Sequence, residues 1–211
     1  MNLNALGIGQ IRVAALGDSI TAGTPGWDPD AETRAALTAP DPQSQWMFWA
    51  ERIDAAVTFV NHGVNRERTD QIALRLDDAL EGANAIVIQG GINDIVQQRS
   101  IELAAKDIDE MIRRAGMRVP TVLVANVLPW NNGDEKAAQA ILSLNARIAA
   151  LASDHKVRLV PFYATLEDPD QPQRMAPAWT VEGNHPSVEG HRRLGELAWP
   201  TGALTSPTVN V

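Results

Sequence analysis

Four short segments carry residue types suited to acyl chemistry. Gly17-Asp18-Ser19-Ile20 offers a hydroxyl and Asn61-His62-Gly63 a glycine N–H. Gly91-Ile92-Asn93-Asp94 offers a side-chain amide, and Glu182-Gly183-Asn184-His185-Pro186 an imidazole with a carboxylate three residues before it. A serine hydroxyl is a weak nucleophile until a base within about 3 Å takes its proton. Attack on an ester carbonyl then leaves an oxyanion, which needs donors already aimed at it. Of the four histidines, His185 is the best placed, on a loop ahead of a helix with Pro186 restricting its backbone. His191 falls inside that helix, and His155 closes another, where a cation is favourable. The expected assignment is Ser19 as nucleophile, His185 as base and Glu182 as the group orienting the imidazole. The oxyanion donors are the Ser19 N–H, the Gly63 N–H and the Asn93 amide. Each feature alone is commonplace: a Gly-Asp-Ser triplet, a turn glycine, an asparagine N-cap, a loop histidine. Their conjunction carries the weight.

For these residues to meet, the chain must place them on one edge. Apolar, partly β-branched runs recur at 11–16, 57–61, 85–88, 121–127 and 157–161, apolar on both faces as in strands of a covered parallel sheet. Between them lie helical patterns. Residues 45–56 put Trp46, Trp49, Ile53 and Ala56 on one stripe. Thr69 reads as the N-cap of 70–80, with Ile72, Leu76 and Leu80 facing inward. Ser100 caps 101–115, 134–155 is periodic through Ile141, Leu144, Ile148 and Leu151, and Ser187 opens a last helix that Pro200 stops. Such alternation predicts a three-layer α/β fold with a mostly parallel five-stranded sheet and right-handed crossovers. Ligands then bind beyond the carboxyl ends of the strands, where the four segments fall. One domain is expected over 1–200, followed by a loose tail over 201–211.

Composition narrows the functions. The 211 residues are 45% hydrophobic and 21% charged, ordinary for a globular protein, with a formal charge of −8 that argues against nucleic acid or an anionic membrane as partner. With no cysteine, disulfides, thiolate metal sites and a thiol nucleophile are excluded. The N-terminus lacks a signal-peptide pattern, and no run approaches the roughly 18 apolar residues of a membrane span, so a cytoplasmic location is expected. Gly7-Ile8-Gly9 precedes a strand and is no dinucleotide fingerprint, which weighs against a flavodoxin-like nucleotide binder. Thr21 fills the last glycine position of a Gly-x-Ser-x-Gly elbow, against an α/β-hydrolase.

Together the four segments, in order from residue 17 to 191, resemble the blocks of the SGNH hydrolases, or GDSL esterase/lipase family. The resemblance implies a flavodoxin-like sheet, a serine mechanism with an acyl-enzyme, a small-molecule ester substrate and neither metal nor organic cofactor. Two departures stand out. Glu182 replaces the usual aspartate, which leaves Asp168 and Asp170 as alternative partners of His185. Arg66 replaces a glycine common three positions after Gly63, which touches loop shape and substrate preference. Asp18 and Asp94 read as structural, Arg66 and Arg68 as a solvated pair, and Trp46, Trp49 and Trp199 as core. Trp27, Trp130 and Trp179, on inferred loops, either line an acyl pocket or sugar platform or pack the loops down. Expected substrates are short acyl or acetyl esters, including acetylated carbohydrate. The alternatives are a lysophospholipase or acyl thioesterase, or a non-catalytic ligand- or carbohydrate-binding protein on this fold.

Overall fold

The computed structural model describes residues 10–202 and Leu204. The Gly7-Ile8-Gly9 segment and all of the expected tail except Thr201, Gly202 and Leu204 lie outside the described residues.

Five strands, β1 (Ile11–Gly17), β2 (Val57–Gly63), β3 (Ala85–Ile88), β4 (Thr121–Ala125) and β5 (Arg158–Val160), form one parallel sheet in the order β2-β1-β3-β4-β5. Successive strand residues point to opposite faces, so two cores follow from one sequence pattern. Ala14, Leu16, Ile86, Ile88 and Val124 face one layer; Val13, Ala15, Val87, Leu123 and Ala125 face the other. The order reverses between β1 and β3, and the crevice at such a switch lies at their carboxyl ends.

On the first face pack α4 (Thr69–Leu74), α5 (Leu76–Ala79), α7 (Ile101–Gly116) and α8 (Glu135–Asp154). On the second pack α3 (Trp46–Ile53), α9 (Phe162–Leu166), and α10 (Val188–Arg193) with its continuation Leu194–Ala198. Short helices α1 (Ser19–Ala22), α2 (Ala31–Ala35) and α6 (Ile92–Val96) occupy the strand-end loops, and an unforeseen hairpin pairs β6 (Glu167–Asp168) with β7 (Gln171–Met175). Among the described residues no helix is long and apolar enough to cross a membrane.

Two caps form as expected: Ser100 accepts from Glu102 N and Leu103 N, and Ser187 from Gly190 N. Asp134, expected inside its helix, caps it instead by accepting from Ala137 N. Thr69 does not cap. It begins α4, its hydroxyl bonds Asp94, and the helix breaks at Arg75. The α3 stripe also differs: Trp46, Met47 and Ala50 are buried, whereas Trp49 is half-buried and Ile53 is 39% exposed. The cause is that Trp46 anchors an aromatic cluster with Phe59, Phe162 and Trp199, which rotates the inward face by one position. Trp199 is core as expected, although it lies just past the last helical turn.

His191 is wholly buried on α10, and neither ring nitrogen has a hydrogen-bond partner among the described residues. Burial lowers its pKa from 6.5 to about 3. The unfolded chain therefore takes up this proton near pH 6.5 while the folded protein does not, and stability falls as pH drops from there towards 3. Relative to His191→Leu, the wild type is expected to lose on the order of 3 kcal/mol between pH 7 and about 4.5. Urea denaturation of both proteins at the two pH values measures this; a pH-independent difference would contradict it.

Candidate active site

The turn from β1 into α1 is fixed before any ligand arrives. Asp18 caps α1 by accepting from Ile20 N at 2.9 Å, and its own N–H donates to Gln89 Oε1 at 3.3 Å. Thr21 Oγ1 donates to the same Gln89 oxygen at 2.8 Å. Burial pushes the Asp18 carboxyl up to about 6, against the opposing pull of the Ile20 N–H. Asp18 is thus the backbone anchor its sequence position suggests. Ser19, the first residue of α1, has no acceptor for its N–H among the described residues.

The segment 180–186 closes on itself. Thr180 pairs with Pro186 as an isolated bridge, Val181 N donates to His185 O at 3.0 Å, and Gly183 N donates to Thr180 Oγ1 at 2.9 Å. Gly183 makes this possible: its φ is +88°, and an added Cβ would stand 2.7 Å from Asn132 Oδ1. The loop turns Glu182 Oε1 onto His185 Nδ1 and leaves His185 Nε2 3.1 Å from Ser19 Oγ. Asp168 instead accepts from Asp170 N in the β6–β7 turn, so the partner on Nδ1 is Glu182. The side chain of Glu182 is 41% exposed against 21% for His185, which puts the carboxylate on the solvent side.

Asn93, in the first turn of α6, donates one amide hydrogen to Glu67 O at 3.0 Å. Gln97 Nε2 donates to Arg66 O at 3.0 Å, so α6 holds the loop after β2 from two points. Gly63 does not serve as expected. β2 extends through it, its N–H is taken by Asn61 Oδ1 at 2.8 Å, and it lies outside the cleft around Ser19. Its lack of a side chain serves packing: a Cβ there would come within 2.1 Å of Ala22 N, inside α1. Asn65 and Arg66 border the cleft instead. Arg66 has φ 69°, unusual for a non-glycine residue, and its N–H has no acceptor among the described residues.

The cleft, about 340 Å³, is walled by Ile92, Asn93, Val96, Trp130 and Asn184 in addition to Ser19 and His185. A neighbouring cavity of about 810 Å³, between the α6–α7 connection and the start of α8, shares Val96 and Trp130 with it. Of the three loop tryptophans only Trp130 borders the cleft. Trp27 lies under Arg34 at 4.7 Å and Trp179 under Arg193 at 3.9 Å, each ring covered by a guanidinium. Asp94 is structural as expected, accepting from Thr69 N and Arg99. Arg68 is ion-paired with Asp70 at 3.0 Å, so only Arg66 of the expected solvated pair is exposed. Among the described residues no three His, Asp or Glu side chains gather to hold a metal ion.

Asn184 and Asn132 escaped the sequence reading. Trp130 Nε1 donates to Asn184 Oδ1 at 2.5 Å, and Asn132 Nδ2 donates to Glu182 O at 2.7 Å. The available signal was positional: Asn131-Asn132-Gly133 follows the fourth strand, on the ligand edge of the sheet. A hydroxyl, an imidazole and a carboxylate in series, beside unpaired N–H groups, can generate a nucleophile and receive negative charge on a carbonyl oxygen.

A family model described as the GDSL-like lipase/acylhydrolase family matches residues 15–193. Among solved structures, a member of the lipolytic protein G-D-S-L family from Veillonella parvula DSM 2008 is 19% identical with a TM-score of 0.71, covering 88% of this chain and 94% of that one. TesA is 20% identical with a TM-score of 0.70, covering 91% and 98%. A variant of Axe2, an acetyl-xylooligosaccharide esterase from Geobacillus Stearmophilus, is 15% identical with a TM-score of 0.66, covering 89% and 92%. At these identities the likeness concerns the fold. No match is found among curated proteins.

The packing of Gly63 on α1 separates two roles by experiment. Gly63→Ala keeps the N–H but forces a methyl against Ala22, so the variant is expected to lose about 1–3 kcal/mol of stability. Equilibrium denaturation checks this; a fully stable variant would mean that the α1 contact is not what requires a glycine here.

Proposed function

The chain belongs to the GDSL-like lipase/acylhydrolase family and is a hydrolase, and we propose that it cleaves carboxylic esters through an acyl-serine intermediate. The observation that carries this reading is the Ser19 Oγ to His185 Nε2 distance of 3.1 Å, with Glu182 on the other ring nitrogen. Ser19 Oγ attacks the acyl carbon as its proton passes to His185 Nε2. Glu182, accepting from Nδ1–H, fixes the tautomer and stabilises the imidazolium. The carbonyl oxygen becomes an oxyanion held by the Ser19 N–H and the second amide hydrogen of Asn93. A third donor is the Arg66 N–H rather than that of Gly63, because the Arg66 N–H is unpaired at the cleft and that of Gly63 is occupied. As the tetrahedral species collapses, His185 gives its proton to the departing alkoxide and the alcohol leaves. Water then enters, His185 takes its proton, and the resulting hydroxide attacks the acyl carbon. Collapse releases the acid, and the proton returns from His185 to Ser19.

The 340 Å³ cleft favours a short acyl group, acetyl included, set against Ile92 and Val96. An acetylated carbohydrate fits this reading, and an acetyl-xylooligosaccharide esterase shares the fold. A second reading, a lysophospholipase or acyl thioesterase, draws on the 810 Å³ cavity that continues from the cleft past Val96 and Trp130. A non-catalytic binding protein is the remaining alternative, and the Ser19–His185 hydrogen bond weighs against it, since binding alone does not need a base on the serine.

Esters of p-nitrophenol from acetyl to long chain, acetylated sugars and acyl thioesters, each tested beside Ser19→Ala, separate these readings. Turnover of acetyl esters that Ser19→Ala abolishes is expected; binding without turnover would leave the non-catalytic reading. Asn93→Ala is expected to lower kcat on the order of 10²–10³-fold. Glu182→Ala is expected to lower it by up to about 10⁴-fold. A folded Asn93→Ala enzyme with wild-type kcat removes Asn93 from the hole, and an unchanged kcat in Glu182→Ala moves the orienting role to another acceptor.

A further inference from the structure

The loop that follows β4 does more than border the cleft. Trp130, Asn131 and Asn132 together grip the 182–185 segment through a set of bonds that no part of the acyl chemistry requires. Asn132 Nδ2 donates to Glu182 O at 2.7 Å and to Asn184 Oδ1 at 2.9 Å. Trp130 Nε1 donates to the same Asn184 oxygen at 2.5 Å, and Asn131 N donates to Gly183 O at 2.9 Å. The gripping loop is anchored in turn: Asn131 exchanges bonds with the backbone of Met175 at the end of β7, giving 2.9 Å through Nδ2 and receiving 2.7 Å at Oδ1. Trp130 also packs over Gly133, where an added Cβ would meet its Cε3 at 2.5 Å.

We infer that Asn132, with Trp130 acting through Asn184, is a positioning residue that holds Glu182 and His185 in register with Ser19. This rests on the serine-hydrolase reading above. The physical need is specific to this chain. Glu182 has one more methylene than an aspartate, and its side chain is 41% exposed, so water competes for its carboxylate and its rotamers are many. Fixing the backbone carbonyl of Glu182 and the side chain of Asn184 removes freedom from the residues on both sides of Gly183. A misplacement of about 1 Å in such a constellation costs as much as 10²-fold in rate. Because Trp130 also walls both the cleft and the neighbouring cavity, a substrate lying there touches the same residue that holds the loop.

Three variants and one spectrum test the inference. Asn132→Ala is expected to lower kcat on p-nitrophenyl acetate about 10- to 100-fold with KM changed less than about twofold. Asn132→Asp is expected to be worse at pH 8, because a carboxylate there faces two acceptor oxygens. Trp130→Phe removes the indole N–H while keeping an aromatic ring, and is expected to lower kcat roughly 3- to 10-fold, the worth of one hydrogen bond. In proton NMR, the downfield resonance of the His185 Nδ1 proton is expected to weaken or move in Asn132→Ala, an effect that loss of global stability alone does not give in a folded sample. A folded Asn132→Ala enzyme with wild-type kcat and an unmoved Nδ1 resonance overturns the inference, as does Asn132→Asp behaving like Asn132→Ala. If Ser19→Ala keeps full turnover, the serine mechanism is what fails, and the NMR comparison still decides whether Asn132 holds the imidazole–carboxylate pair.

Discussion

A hydrogen bond between side chains 166 positions apart, Ser19 Oγ and His185 Nε2, cannot be set by local structure. Everything around it acts to fix two distant pieces of backbone. On the serine side, parallel pairing of β1 with β2 puts Gly17 opposite Gly63, and the absence of a side chain at Gly63 lets α1 sit directly on β2. Gln89, at the end of β3, then ties Asp18 and Thr21 from the other flank. On the histidine side there is no sheet to lean on. The 180–186 loop is held by its own bridge and by the loop after β4. One partner is therefore built on rigid elements and the other on a braced loop, which is the softer arrangement.

Two carboxylates belong to this site and differ in environment. Asp18 is buried, its pKa raised to about 6, and its Oδ2 has no partner among the described residues. A raised value means the folded protein retains this proton while the unfolded chain has lost it, so the carboxyl opposes folding increasingly as pH rises from near 4 to 6. The wild type tolerates that cost for a cap that keeps the Ser19 turn in place. Glu182 is on the solvent side and touches the imidazole directly. Capping and orienting are thus divided between an acid bonded to the α1 backbone and one bonded to His185.

Much of the fold was legible because strand burial and helix capping are local properties. Runs apolar on both faces became the five parallel strands, and Ser100 and Ser187 cap as their types suggest. Thr69 failed as a cap because tertiary partners claim it: its N–H donates to Asp94, and its hydroxyl oxygen, which a cap would use as acceptor, takes a bond from Arg99. The α3 stripe was misread because helical periodicity fixes spacing but not which arc faces inward; the aromatic cluster around Trp46 decides that. At the candidate site, Ser19, His185 and Glu182 meet where type and place suggest, and Asn93 borders the same cleft. Gly63 has its N–H bonded to Asn61 and packs its bare Cα on α1, and a glycine gives the same letter whether its N–H or its missing side chain is what matters. Trp27 and Trp179 were drawn towards the cleft by loop position alone, whereas each ring is occupied by an arginine.

The substitution of glutamate for aspartate has a structural counterpart in the loop. A longer acid three residues before its histidine reaches Nδ1 only if the intervening backbone folds back, and Gly183, with φ +88°, provides that reversal. The same residue lets Asn132 approach, since a Cβ would collide with its amide oxygen. One glycine therefore permits both the return of Glu182 to the imidazole and the brace that keeps it there. Where an aspartate would be held by its own shortness, this loop holds its acid through hydrogen bonds from outside, and the chemistry of Ser19 comes to depend on a segment that never touches the reacting atoms.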